Sequence, residues 1–296
     1  MFALTGAFIS SSVFRPAGVD AVKVTKKFGT FAVQITVMPG FLFHEVVFGP
    51  VRSRRLGLSL GINLLPLHSK HCSFNCIYCE CGWTPLRPKE ELSLPSRALI
   101  AEALENTLKE LVADHCIPDA LTYAGNGEPT IHPEFAGIVD DTIRLRDQYV
   151  PGAKVTVLSN ASMVHDPDVF GALLKLDGNI QKLDAGNERM FNLINNPVSP
   201  VDLEKLTEGL ARFNGRVIIQ SMFLRGSFRG ETVDNTTPAE VEAWISRLKK
   251  IRPGSVMIYP IARATPVHNI EKIPQDVLQA IAEKVKAEGI PVSVYE

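Results

Sequence analysis

Ala120-Leu121-Thr122-Tyr123-Ala124-Gly125-Asn126-Gly127-Glu128-Pro129-Thr130-Ile131-His132-Pro133-Glu134-Phe135 contains one whole structural unit. Ala120 to Tyr123 reads as a strand buried on both faces, and the polar loop Gly125 to Glu128 leaves its end. Pro133 is expected at the first helical position, where a missing N–H breaks no intrahelical bond. Phe135, Ile138, Val139 and Thr142 then repeat at helical spacing.

The same unit recurs on either side. Lys154 to Leu158, Ile180 to Leu183, Val217 to Phe223 and Val256 to Ile261 are short β-branched, apolar runs, and Val292 to Tyr295 closes the series. Upstream, Leu58 to Leu65 precedes a helix expected from Ser96 to Cys116 on Ile100, Leu104, Leu108 and Leu111. Pro167, Pro200, Pro238 and Pro274 mark further helix starts. Thr237-Pro238-Ala239-Glu240 is a capping box, followed by the face Val241, Trp244, Ile245, Leu248. Leu203, Leu206, Leu210 and Phe213 form another face, as do Val277, Leu278, Ile281 and Val285 before Gly289. Strict β/α alternation predicts an α/β fold with a parallel sheet and right-handed crossovers, a partial or complete (β/α) barrel of about six strands. A doubly wound open sheet is the alternative.

In such folds the functional groups gather where strands end and loops begin. Gly125 to Glu128, Ser159-Asn160, Lys182 and Asp184, Gln220 and Arg225, and Tyr259 and Arg263 fall at successive strand ends, so they are expected on one rim. Across 296 residues, 45% hydrophobic and 21% charged with a formal charge of -1, no global field draws nucleic acid or an acidic membrane. Apolar runs fall short of the ~20 residues that span a bilayer. Met1 to Ser10 lacks the basic start of a secretion signal, so a cytoplasmic protein with no membrane partner is expected. Residues 1–45 fit the repeat poorly. Val22 to Val37 reads as a strand pair in a weakly docked or disordered extension, Met38 is an alternative start, and 46–296 is expected to be the barrel domain.

Four of five cysteines lie between Cys72 and Cys81. Cys72, Cys76 and Cys79 form a C-x3-C-x2-C run just after the first barrel strand, with an aromatic residue before the third. Thiolates suit zinc and iron-sulfur clusters alike. Cys81 would close a four-thiolate zinc site, although four ligands within ten residues are cramped; three spaced thiolates with a corner open favour a cluster that binds something else.

This run resembles the signature of the radical S-adenosylmethionine (radical SAM) enzymes over roughly Phe48 to Glu296. The resemblance implies a [4Fe-4S] cluster on Cys72, Cys76 and Cys79, with the fourth iron chelating S-adenosyl-L-methionine. Gly125-Asn126-Gly127-Glu128 is similar to the family's glycine-rich motif, where backbone and Glu128 would receive the SAM ammonium. By family position Ser159, Asn160, Lys182, Asp184 and Gln220 would surround the ribose and carboxylate, with Tyr78 near the adenine. The implied reaction is reductive cleavage of SAM to a 5'-deoxyadenosyl radical that abstracts hydrogen from a substrate, whether small molecule, RNA or protein. The electron would come from a donor such as flavodoxin or ferredoxin. Gly49 to Gly61 with Cys72 to Cys76 is similar to a branch near the tRNA wybutosine synthases. No cysteine precedes Cys72, which disfavours that tRNA activity itself. Two alternatives remain: activation of a partner protein as a glycyl radical, and a non-enzymatic zinc-binding interaction module.

Several residues carry two readings. Cys116 reads as a buried free thiol and Cys81 as a reactive thiol or part of the loop. His132 reads as a helix-start residue rather than a ligand. Lys182 and Asp184 suit an ion pair inside the barrel as well as SAM contact. Arg52, Arg54 and Arg55 suit a substrate phosphate or carboxylate, or the packing of a loop beneath the barrel. Arg225, Arg263 and the Arg54 region are candidate walls for the substrate.

Overall fold

The structure, a computed structural model, describes residues 22–28, 31–37, 40–85 and 93–295. Met38 and Met1 to Ser10 lie outside them. The chain divides into two compact units, Met1–Pro39 and Gly40–Glu296. In the first, β1 (Val22–Phe28) and β2 (Phe31–Val37) pair antiparallel, with Val22 opposite Val37.

The second unit runs β3 (Val47–Ser53), β4 (Gly57–Ile62), α1 (Arg97–Ala113), β5 (Ala120–Tyr123), α2 (Phe135–Tyr149), β6 (Lys154–Ser159), α3 (Pro167–Leu173), β7 (Gly178–Lys182), α4 (Glu188–Asn195) and α5 (Leu203–Ala211). It continues with β8 (Ile218–Phe228), β9 (Glu231–Asp234), α6 (Pro238–Ile251), β10 (Ser255–Pro260), β11 (Ile270–Lys272), α7 (Gln275–Ala287) and β12 (Val292–Val294). The sheet order is β12-β10-β8-β7-β6-β5-β4-β3, with β9 and β11 on the far half of β8. From β4 to β12 the main strands are parallel; β3, β9 and β11 pair antiparallel.

The register sorts the strand residues onto two faces. Leu60, Leu121, Val155, Ile219 and Val256 share one face and are almost fully buried, as are Ile62, Tyr123, Val157 and Ile258. This layer lies under the helices and holds most of the hydrophobic stabilisation, at roughly 1.5–3 kcal/mol per large side chain. The other face carries Ser59, Thr122, Thr156, Lys182, Gln220 and Tyr259. The sheet is not closed, since β3 and β12 are its two ends. It is strongly curled: the Arg55 guanidinium, in the β3–β4 turn, lies 5.2 Å from the ring centre of Tyr259 on β10. The architecture is therefore a partial barrel, and the polar face is its inside.

The apolar helix faces fall as the periodicity predicts, with Leu104, Val139, Leu210, Trp244 and Ile281 buried. Three proline signals are displaced. α2 begins at Phe135 with Glu134 as cap, because Pro129–Ile131 forms a 3-10 turn and His132 Nδ1 accepts from Glu134 N at 3.1 Å. α5 begins at Leu203, three residues past Pro200, where the Asp202 carboxylate accepts from Lys205 N at 3.0 Å and satisfies an otherwise unpaired helix donor. Pro274 is the cap of α7 rather than its first residue. α4 and β3 escape the sequence reading: α4 spans eight residues, too few for a period, and β3 is interrupted by Gly49-Pro50 and a register shift between Phe48 and Val51.

Candidate active site

The cysteine loop leaves β4 and is tied to its neighbours through backbone. His71 bridges Gly127 in parallel, His71 N donates to Asn126 O at 2.8 Å, and Glu128 N donates to His71 O at 3.1 Å. Gly127 has φ +144°, and a Cβ there would stand 1.9 Å from His71 O, so this approach demands glycine. Further along, Asn75 N and Ile77 N donate to the carbonyls of Asn196 and Ile194 at the end of α4. The loop is thus clamped between the Gly125–Glu128 turn and α4.

Beside it Lys70, 3% exposed, donates to Gly82 O at 2.8 Å and interacts with the thiols of Cys79, Cys72 and Cys76. Burial alone would lower the Lys70 pKa, but the three thiols, Cys79 foremost, hold it above the ordinary value. Burial pushes the Cys72 and Cys76 thiols up, Lys70 opposing it at both and Lys182 most at Cys76. Cys79 is held below the usual thiol range by a hydrogen bond from Cys81, against its burial, and the same bond raises Cys81. Two amides face the sulfurs: Asn160 Nδ2 and Cys72 Sγ are 3.5 Å apart, as are Asn195 Nδ2 and Cys76 Sγ.

Cys81 Sγ donates to Gly125 O at 3.4 Å and is hydrogen-bonded to Cys79. Three soft thiolate donors beside a buried ammonium fit an iron-sulfur cluster, whose thiolate-bound core carries net negative charge.

The glycine-rich loop is built inward. Asn126, fully buried, donates from Nδ2 to Phe43 O and Pro66 O at 2.8 Å each and accepts at Oδ1 from Phe43 N at 2.8 Å. Glu128 is 1% exposed, and its carboxylate accepts from the Thr130 backbone and hydroxyl and from Asn160 N. Burial raises its pKa while those bonds lower it. Ser159 Oγ accepts from Ala161 N at 3.1 Å, and Asn160 Nδ2 donates to Ser73 Oγ at 2.8 Å. Ser159, Asn160 and Glu128 thus knit the second and third strand ends to the cysteine loop.

Lys182 and Asp184 do not form the expected direct ion pair: Tyr78 stands between them. Lys182 Nζ donates to Tyr78 OH at 2.7 Å and to Tyr259 OH at 3.0 Å, and Tyr78 OH donates to Asp184. Asp184, 1% exposed, also accepts from Asn195 Nδ2 at 2.7 Å and Met222 N at 2.8 Å. Burial alone would lower the Lys182 pKa; the Asp184 carboxylate raises it. Tyr78 is held well above its usual range by burial and then by Asp184. Gln220 is buried on the same inner face, in register with Lys182.

Arg263 pairs with Glu80, between Cys79 and Cys81, and so is tied to the cysteine loop. Arg225 pairs instead with Asp234 at 2.8 Å, and His132 takes the helix-start role expected of it, its Nδ1 accepting from Glu134 N while Nε2 meets Pro95 O at 3.0 Å. Lys70 and Asn195 were not singled out by sequence. The adjacency of Lys70 to Cys72 was a usable signal for one; for Asn195, nothing short of the packing of α4 brings it to Cys76.

Residues 67–234 match the family model of the Radical SAM superfamily. A UPF0026 protein of Helicobacter pylori is 36% identical over 186 residues, 61% of this chain and 57% of that protein, so the chain spans little more than half of that relative. A radical SAM methyltransferase from Sphaerobacter thermophilus shares the fold with TM-score 0.57 at 13% identity, covering 80% of this chain and 65% of that one. TYW1 with a lysine-pyruvate adduct bound shares it with TM-score 0.54 at 15% identity, covering 77% and 73%.

Proposed function

The chain belongs to the radical SAM superfamily, an enzyme family that uses a [4Fe-4S] cluster and SAM, and from this we propose that it abstracts hydrogen from a substrate held inside the partial barrel. The observation that carries the proposal is one loop that holds Cys72, Cys76 and Cys79, all three interacting with the buried Lys70, and that is bridged through His71 to Gly127 of the Gly125–Glu128 turn. When bound, the cluster supplies one electron to the SAM sulfonium, and the cleavage gives methionine and a 5'-deoxyadenosyl radical.

The rest is the work of this chain's own residues, because the protein supplies position, electrostatics and exclusion of side reactions. Cys72, Cys76 and Cys79 would hold three irons, and the Lys70 ammonium offsets their negative charge. Asn160 and Asn195 orient the sulfurs of Cys72 and Cys76, as partners one shell out from a metal commonly do. The backbone of Gly125 to Glu128 would receive SAM, with the Glu128 carboxylate bracing the loop through Thr130 and Asn160 N. Lys182, Tyr78 and Asp184 form a buried polar wall on the inner face, and Ser159, Asn160 and Gln220 would lie near the ribose and carboxylate of bound SAM. A primary carbon radical reacts with whatever touches it, so this wall also keeps water and loose side chains away. The substrate is a small molecule, RNA or protein, and the electron donor is of the flavodoxin or ferredoxin kind.

Anaerobic reconstitution with iron and sulfide, followed by reduced flavodoxin or dithionite and SAM, is expected to yield 5'-deoxyadenosine and methionine in equal amounts. A brown protein with stoichiometric iron and sulfide that leaves SAM intact under reduction would sink the proposal.

A further inference from the structure

The Arg52, Arg54 and Arg55 cluster is resolved by the structure into unequal members. Arg52 and Arg54 are exposed, whereas Arg55 is half-buried and enters the inside of the barrel. Its guanidinium lies over the ring of Tyr259 at 5.2 Å, and that same ring's hydroxyl accepts from Lys182. Among the described residues Nη1 of Arg55, shielded from solvent, has no hydrogen-bond partner. Among the described residues the guanidinium also forms no ion pair. A charged donor buried without a partner is costly, and proteins rarely leave one so except where a ligand completes it.

The surroundings define that ligand. Lys182 is matched by Asp184 through Tyr78, so among the described residues the guanidinium of Arg55 beside Tyr259 is left without a carboxylate. Across the inner face Ser59 Oγ and Thr122 Oγ1 are 2.8 Å apart and Thr156 Oγ1 donates to Thr122 Oγ1 at 2.9 Å, a line of small, neutral hydroxyls. A single guanidinium fork stacked on an aromatic ring suits a planar monoanion; a phosphate dianion would ask for a second free cation.

We propose that Arg55, stacked on Tyr259 inside the barrel, is a specificity-determining residue that binds a carboxylate of the substrate. The site lies on the inner face that also carries the Lys182–Tyr78–Asp184 wall, so the carboxylate anchors one end of the substrate while its reacting C–H faces SAM. The inference rests on the radical SAM reading of the site and names the substrate class it leaves open.

The test measures binding, apart from turnover. Acetate serves as the probe on the reconstituted, oxidised holoenzyme, followed by saturation-transfer NMR, with formate and inorganic phosphate as competitors. Saturable acetate binding is expected, displaced by formate and not by equal phosphate. It is expected to weaken at least tenfold in Arg55→Gln, less in Arg55→Lys, and not at all in the exposed control Arg52→Gln. Circular dichroism melting and iron content show whether Arg55→Gln folds; if it does not, Arg55→Lys and the competition decide. Unchanged acetate affinity in the folded Arg55 variants, no saturable binding by the parent, or displacement by phosphate as readily as by formate would each overturn the carboxylate site. Failure of the parent to cleave SAM, with acetate still bound at Arg55, would instead strike the reading of the function and leave this site standing.

Discussion

Cys79 and Cys81 are two residues apart and hydrogen-bonded to each other, and we propose different work for them. Cys79 interacts with Lys70 together with Cys72 and Cys76, whereas Cys81 Sγ also donates to Gly125 O. Cys72→Ser, Cys76→Ser and Cys79→Ser are each expected to abolish the cluster's visible absorbance and reduce 5'-deoxyadenosine formation to background. Cys81→Ser is expected to keep its iron and its activity within about twofold, since it removes no thiolate from the cluster. Asn195→Ala, which deletes the bonds to Asp184 and to Cys76 Sγ, is expected to lower activity by about 10–100-fold with iron content the second readout. The cysteines were legible because spacing along the chain is a local property. Asn195 was not, because its meaning lies wholly in which groups α4 brings it to.

Among the elements, helix ends show where sequence signals compete. Proline marks the start of α3 and α6, where Asp166 and Thr237 immediately before it carry the acceptor. At α5 the acceptor is the Asp202 carboxylate and the helix starts after it, whereas α2 starts after Glu134 with no side-chain cap at all. Asp166 accepts from Asp168 N and Val169 N at 3.0 Å each, so Asp166→Ala is expected to cost about 0.5–2 kcal/mol in urea denaturation without altering SAM cleavage per folded molecule. The buried helix faces were readable from their period alone. β9 and β11 were not, because each pairs with the extended half of β8 and carries no alternation of its own over three or four residues.

For the whole molecule, every residue assigned a role at the cluster or the inner face lies in the unit Gly40–Glu296. We propose that this unit is the catalytic domain, and a chain starting at Met38 is expected to take up iron and form 5'-deoxyadenosine at a rate within about twofold of the full chain. Among the described residues no helix is long and apolar enough to cross a membrane. By itself the sequence determined the β/α alternation, the cysteine run and the glycine-bearing loop, because strand and helix periods, capping and ligand spacing are all written within a few residues of chain. Only the tertiary structure decided that the sheet stays open while curling until Arg55 reaches Tyr259, that Tyr78 separates Lys182 from Asp184, and that Lys70 sits among the thiols. Those outcomes depend on contacts between groups as much as two hundred residues apart, where burial and charge set the chemistry and no local pattern carries the information.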